Sequence, residues 1–133
     1  MTIMIGLVLV THAGLAKELL KAAEMIVGPI EEAQAIGIEQ GDQVEGIMDR
    51  ISAAVKQVSG NGAIIMTDMF GGTPSNMSLS FLEGERVEVL TGVNLPMVIK
   101  FASDRQRATV AELAGSLRDC GRESIAVAGD YLK

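Results

Sequence analysis

The chain has one cysteine, one histidine and no tryptophan in 133 residues, and each scarcity excludes a class of protein. A lone thiol, Cys120, cannot build an internal disulfide framework and fits a reducing compartment. It falls near the end of a predicted helix, where a half-buried structural thiol is the plain reading. One histidine and one cysteine do not supply a usual structural zinc site, so no metal is expected. Aromatic residues make up only 3%, which leaves the core to aliphatic side chains and eight methionines. Basic residues are few: 11 Lys and Arg stand against 17 Asp and Glu, for a net charge of −6. They are scattered rather than striped, which argues against a nucleic-acid partner.

Long hydrophobic runs are missing too. The opening Met1-Thr2-Ile3-Met4 has no positive flank, and the apolar run that follows ends at Val10. That is a first strand rather than a signal peptide or a membrane span, and a cytoplasmic location is expected. The Walker lysine motif, the three-glycine dinucleotide fingerprint and the Gly-x-Ser-x-Gly elbow are all absent, and no cofactor is expected. Without linker, composition shift or repeat, residues 1–133 read as one domain. A content of 48% hydrophobic and 21% charged residues suits a packed core.

What is present alternates between two periods. Ile3 to Val10 is a continuous apolar strand, and Leu15 to Val27 an amphipathic helix closed by Gly28-Pro29. Ala33 to Ile38 is a second strand. Asp42 and Glu45 have capping-box spacing ahead of a helix whose apolar face is Ile47, Met48, Ile51, Ala54, Val55 and Val58. Ala63 to Thr67 is a third strand. A short helix over Ser75 to Leu82 has Pro74 at its first position and Thr73 as its N-cap. Arg86 to Leu90 is a fourth strand, and Met97 to Ala102 opens a helix. Thr109 and Glu112 cap another over Val110 to Cys120, which Gly121 ends, and Ser124 to Ala128 is a last β segment. The class is therefore α/β, an open sheet of mainly parallel strands with helices on both faces.

In such sheets ligands gather at the carboxyl ends of the strands, and there the unusual residues stand. His12 ends the first strand and Asp68 the third. A carboxylate accepting from one imidazole nitrogen leaves the other free as a nucleophile. Such a pair can take up and pass on a phosphoryl group without metal or cofactor, because that transfer depends on positioning and electrostatics. Gly71-Gly72 can bring backbone N–H groups close to an anion, with hydroxyls from Thr73, Ser75 and Thr11 beside them. The helix after His12 should add its own N-terminus. Met69 and Phe70 are candidates for partner docking. Each feature alone has an ordinary structural use: a bonded histidine, a turn glycine pair, a capping threonine. Their coincidence on one rim carries the reading.

The segments Val10-Thr11-His12-Ala13-Gly14-Leu15-Ala16, Thr67-Asp68-Met69-Phe70-Gly71-Gly72-Thr73-Pro74-Ser75-Asn76 and Thr91-Gly92-Val93-Asn94-Leu95-Pro96-Met97 resemble one family over nearly the whole chain. It is the IIA subunit of the mannose branch of the bacterial phosphoenolpyruvate-dependent sugar phosphotransferase system. The resemblance implies a flavodoxin-like sheet of order 2-1-3-4. It also implies a homodimer that exchanges an antiparallel edge strand, for which Ser124 to Ala128 is the candidate. It implies that His12 is phosphorylated on Nε2 with Asp68 on Nδ1, the phosphate arriving from the phosphocarrier protein HPr. From there it leaves for a IIB subunit, expected to be a separate chain, with membrane contact only through IIC and IID subunits. Asn94 and Pro96 join the docking candidates. Ala13, Phe70 and Thr73 replace the glycine, tryptophan and serine common in the family. A regulatory module controlled by phosphorylation of His12, without sugar transport, is the alternative.

Overall fold

The structure, a computed structural model, describes residues 4–132. Strand β1 (Gly6–His12) leads into α1 (Leu15–Val27), β2 (Ala33–Ile38), α2 (Val44–Val58) and β3 (Ala63–Thr67). Then come α3 (Thr73–Ser78) with a 3-10 turn over Leu79–Phe81, β4 (Val87–Thr91), α4 (Leu95–Asp104) and α5 (Val110–Glu123). All strand pairs are parallel, in the order β2-β1-β3-β4. The α/β class read from the sequence and the strand order implied by the resemblance both hold. Ile3, assigned above to the first strand, lies outside the described residues.

β1 is central because its side chains are apolar on both faces, and Leu7, Val8, Leu9 and Val10 are fully buried. Leu7 and Leu9 join Ile64, Met66, Phe101, Leu113 and Leu117 in one core, beneath α1, α4 and α5. Val8 and Val10 join Ile65, Ile47, Ile51 and Val55 in the other, beneath α2. The short α3 packs on the same face as α2, across β1 and β3.

At the amino ends of the strands Arg105 closes the sheet. Its guanidinium donates to the Ile5 carbonyl from Nε at 3.0 Å and Nη2 at 2.7 Å, reaches the Glu32 carbonyl at 3.3 Å, and lies 4.8 Å from the centre of the Phe101 ring. Burial lowers its pKa, while the Glu32 and Glu31 carboxylates oppose that shift.

Several local expectations shift. The Thr109–Glu112 capping box is present, at 3.2 Å and 3.0 Å. Asp42 and Glu45 make none: α2 starts after Gln43, and Asp42 instead accepts the Glu39 N–H at 2.8 Å and pairs with Arg50 at 3.5 Å. The N-cap of α3 is Gly72 rather than Thr73, which sits in the first turn with Pro74. Gly121 does not end α5 but lies inside it, on the side that faces Met97 of α4. The Ser124 to Ala128 segment is not a strand here. A strand needs an edge to pair with, and this segment, continuing into a 3-10 turn over Ala128–Leu132, joins none in its own chain.

Candidate functional site

Parallel pairing of β1 with β3 sets Val10 beside Thr67, and this brings the residues that follow in both strands to one rim. There Asp68 Oδ2 lies 2.8 Å from His12 Nδ1 and also accepts the His12 backbone N–H at 3.0 Å. Its Oδ1 accepts the Met69 N–H at 3.1 Å. Burial raises the Asp68 pKa, but the His12 amide, the His12 ring and the Asp68 amide outweigh it and hold the carboxyl below its ordinary value. An ionised acceptor at Nδ1 fixes the proton on that nitrogen. Nε2 then carries the lone pair. The side chain of His12 is 50% exposed and that of Asp68 only 14%, so the nucleophilic edge faces out while its orienting partner is enclosed.

The ring rests against the Gly72 backbone. A Cβ on Gly72 would come within 2.9 Å of His12 Cε1 and 3.4 Å of Nε2, so only glycine leaves the ring its place. Gly71 adopts φ 89°, the left-handed region that glycine enters freely. On the other side Ala13 has φ 50°, an uncommon value for a residue with a Cβ. Its N–H donates to the Ile38 carbonyl at 2.8 Å, and its own carbonyl would lie 2.1 Å from a Cβ on Gly37. A hollow of about 380 Å³ opens beside the ring, lined by Ala13, Ile38, Glu39, Asp42, Ile47 and Thr73 among others. A larger one of about 630 Å³ borders Ile5, Asn61 and Thr109, at the amino end of the sheet and away from the histidine.

The other sequence candidates divide. Thr73 is exposed and lines the hollow. Thr11 does not reach it: successive strand residues point to opposite faces, and Thr11 is fully buried on the face away from the ring. Its hydroxyl donates to the His12 carbonyl at 3.1 Å and accepts the Ala16 N–H at 2.7 Å, which ties down the start of α1. The helix end presented to the His12 ring is that of α3, across the sheet from α1. Ser75 is also fully buried, with its hydroxyl turned under α3 rather than to the rim. Asn94 is the N-cap of α4, accepting the Met97 N–H at 3.2 Å and donating to the Gly121 carbonyl at 3.0 Å. That bonding explains Asn94 without a partner. Met69 and Phe70 are 54% and 72% exposed, and Pro96 is exposed as well. Sequence reasoning overlooked the Gly37–Ala13 contact and the 39–42 wall. A glycine inside the strand Ala33–Ile38 was the available signal of a close backbone approach.

The family model described as PTS system fructose IIA component matches residues 6–117. The chain belongs to the mannose-family IIA components of the phosphotransferase system. It is 26% identical to the PTS system fructose-specific EIIA component of Bacillus subtilis over 132 residues, covering 98% of this chain and 90% of the relative. Against the PTS system mannose-specific EIIAB component of Escherichia coli K12 the identity is 31% over 124 residues. That match covers 91% of this chain and 38% of the relative, so the chain spans well under half of that protein. Among solved structures, the mannose/sorbose specific IIA subunit from Enterococcus faecalis superposes with a TM-score of 0.84 at 27% identity, covering 93% of this chain and 94% of that one. As a IIA component the chain serves sugar phosphotransfer, and its chemistry is that of a transferase carrier. None of its helices among the described residues is long and apolar enough to cross a membrane.

Proposed function

We propose that His12 of this IIA component accepts a phosphoryl group on Nε2 from the phosphocarrier protein HPr and passes it to a IIB domain. The supporting observation is the 2.8 Å contact of Asp68 Oδ2 with Nδ1, which leaves Nε2 as the free nitrogen of a half-exposed ring. The Nε2 lone pair attacks phosphorus while the bond from phosphorus to the donor nitrogen breaks, and that electron pair leaves with the donor. Positive charge grows on the ring as Nε2 is phosphorylated, and the Asp68 carboxylate stabilises it. The backbone of Gly71, Gly72 and Thr73 and the Thr73 hydroxyl receive the phosphoryl oxygens. The residues lining the hollow include Glu39 and Asp42 but no lysine or arginine. Weak retention of the dianion favours onward transfer over storage.

Met69, Phe70 and Pro96 form the apolar docking surface for both partners: Met69 and Phe70 are exposed in the loop after Asp68, and Pro96 is exposed in the first turn of α4. The Ser124 to Ala128 segment pairs with β4 of a second copy: Ile125 and Val127 are 78% and 69% exposed, and β4 is an edge strand. Incubation with phosphoenolpyruvate, enzyme I and HPr is expected to place an acid-labile phosphate on the wild-type chain and none on His12→Ala. An unlabelled wild type overturns the proposal.

A further inference from the structure

Three hydroxyl groups lie fully buried on the α2/α3 side of the sheet without a hydrogen-bond partner: Thr67 Oγ1, Ser75 Oγ and Ser78 Oγ. Thr67 is the last residue of β3 and immediately precedes Asp68. It shares a strand face with Ala63 and Ile65, which belong to the core beneath α2. Ser75 and Ser78 are spaced three apart on α3, so they share one face of that helix, and both point inward. α3 packs on β1 and β3, which brings the serine face and the strand face with Thr67 to one interface. The core on this face of the sheet is hydrocarbon: it contains Val10 and Ile65, with Met77 and Phe81 packed against it.

An unbonded hydroxyl in such surroundings is costly, and three at one interface call for a shared partner. A hydroxyl both donates and accepts, and three together match the two to four bonds that an enclosed water molecule makes. We infer that Thr67, Ser75 and Ser78 hold ordered water between α3 and the end of β3, and that this water positions the His12–Asp68 pair. It joins the helix that carries Gly72, the ring's support, to the residue that precedes Asp68, the ring's partner. Thr67, Ser75 and Ser78 are positioning residues and do not touch the phosphoryl group. The positioning role rests on His12 being the phosphorylated residue, whereas the water site itself does not.

A crystal structure of the full chain at a resolution that shows ordered solvent is the direct test. At least one water bonded to two or more of the three oxygens is expected. Three hydroxyls bonded only to protein carbonyls, or a dry interface, overturns the inference. Thr67→Val keeps the shape and removes the hydroxyl, and Thr67→Ser restores it. Thr67→Val should slow His12 phosphorylation about tenfold and change the ring nitrogen NMR shifts that report the Nδ1 bond to Asp68, and Thr67→Ser should recover both. Wild-type rate and ring shifts in a folded Thr67→Val overturn the positioning role. If the wild type takes up no phosphate, the functional proposal fails while the crystallographic result on the water stands.

Discussion

The two ends of the sheet each carry one nitrogen-rich side chain, bonded to backbone carbonyls at the amino end and to a carboxylate at the carboxyl end, and they use it in opposite ways. At the amino end the Arg105 guanidinium is buried, makes three contacts with two carbonyls, and lies over the Phe101 ring. At the carboxyl end His12 has its Nδ1 engaged by Asp68 and half of its side chain open to solvent. Arg105 is held by the fixed carbonyls of Ile5 and Glu32, and such a buried group stabilises without reacting. His12 is held just as firmly on one nitrogen and left free on the other. What separates a staple from a nucleophile here is the one position left open.

Asp68→Asn attacks the open end most directly. The amide keeps the size but not the charge, and phosphorylation of His12 should slow on the order of a thousandfold with the fold intact by circular dichroism. Unchanged transfer would reduce Asp68 to a structural residue. The same carboxyl gives a signature in pH. Its folded pKa lies below the ordinary 3.8, so it adds stability above that value and loses the contribution as pH falls through the lowered folded value. The stability gap between wild type and Asp68→Asn should therefore narrow on acidification below 3.8, measurable by denaturant titration.

The closed end should answer in stability alone. Arg105→Met leaves the Ile5 and Glu32 carbonyls without their donors and should cost ~3 kcal/mol in denaturant unfolding. The phosphorylation rate of the folded fraction should not change. A smaller, purely local effect is expected from Gly72→Ala. The new Cβ, 2.9 Å from His12 Cε1, pushes the ring off its bond to Asp68 and should reduce the phosphorylation rate about tenfold, with little change in melting temperature. Smallest is Ala13→Gly. It relieves a left-handed backbone at the cost of a more flexible unfolded chain, for a net gain of no more than about 1 kcal/mol.

The two inner strands were legible because burial on both faces demands unbroken aliphatic runs, and Leu7-Val8-Leu9-Val10 and Ala63-Ile64-Ile65-Met66 have no other simple use. The His12–Asp68 pair followed from that alone, since both residues stand where such runs end. Thr11 was misplaced because proximity in sequence says nothing of the face, and one step along a strand reverses it. Ser75 was misplaced for the equivalent reason on a helix: its position at the start of α3 was readable, but its inward direction was not. The Ser124 to Ala128 segment has the alternation of a strand, yet alternation specifies a side-chain pattern and cannot supply an edge to pair with. Gly121 looked like a stop because glycine often ends helices, but α5 continues through it to Glu123.

The carboxylate of Asp68 binds the main-chain amide of His12 as well as its ring, across a separation of 56 residues. Chemical competence is thereby made conditional on assembly. A chain in which β1 and β3 have not yet docked, or have docked one position out of step, has an imidazole of undefined tautomer and no support for its charge. If His12 is the phosphorylated residue, as proposed, premature or misaligned forms should take up no phosphate, and loss of carrier activity on heating or in denaturant should coincide with separation of the two central strands.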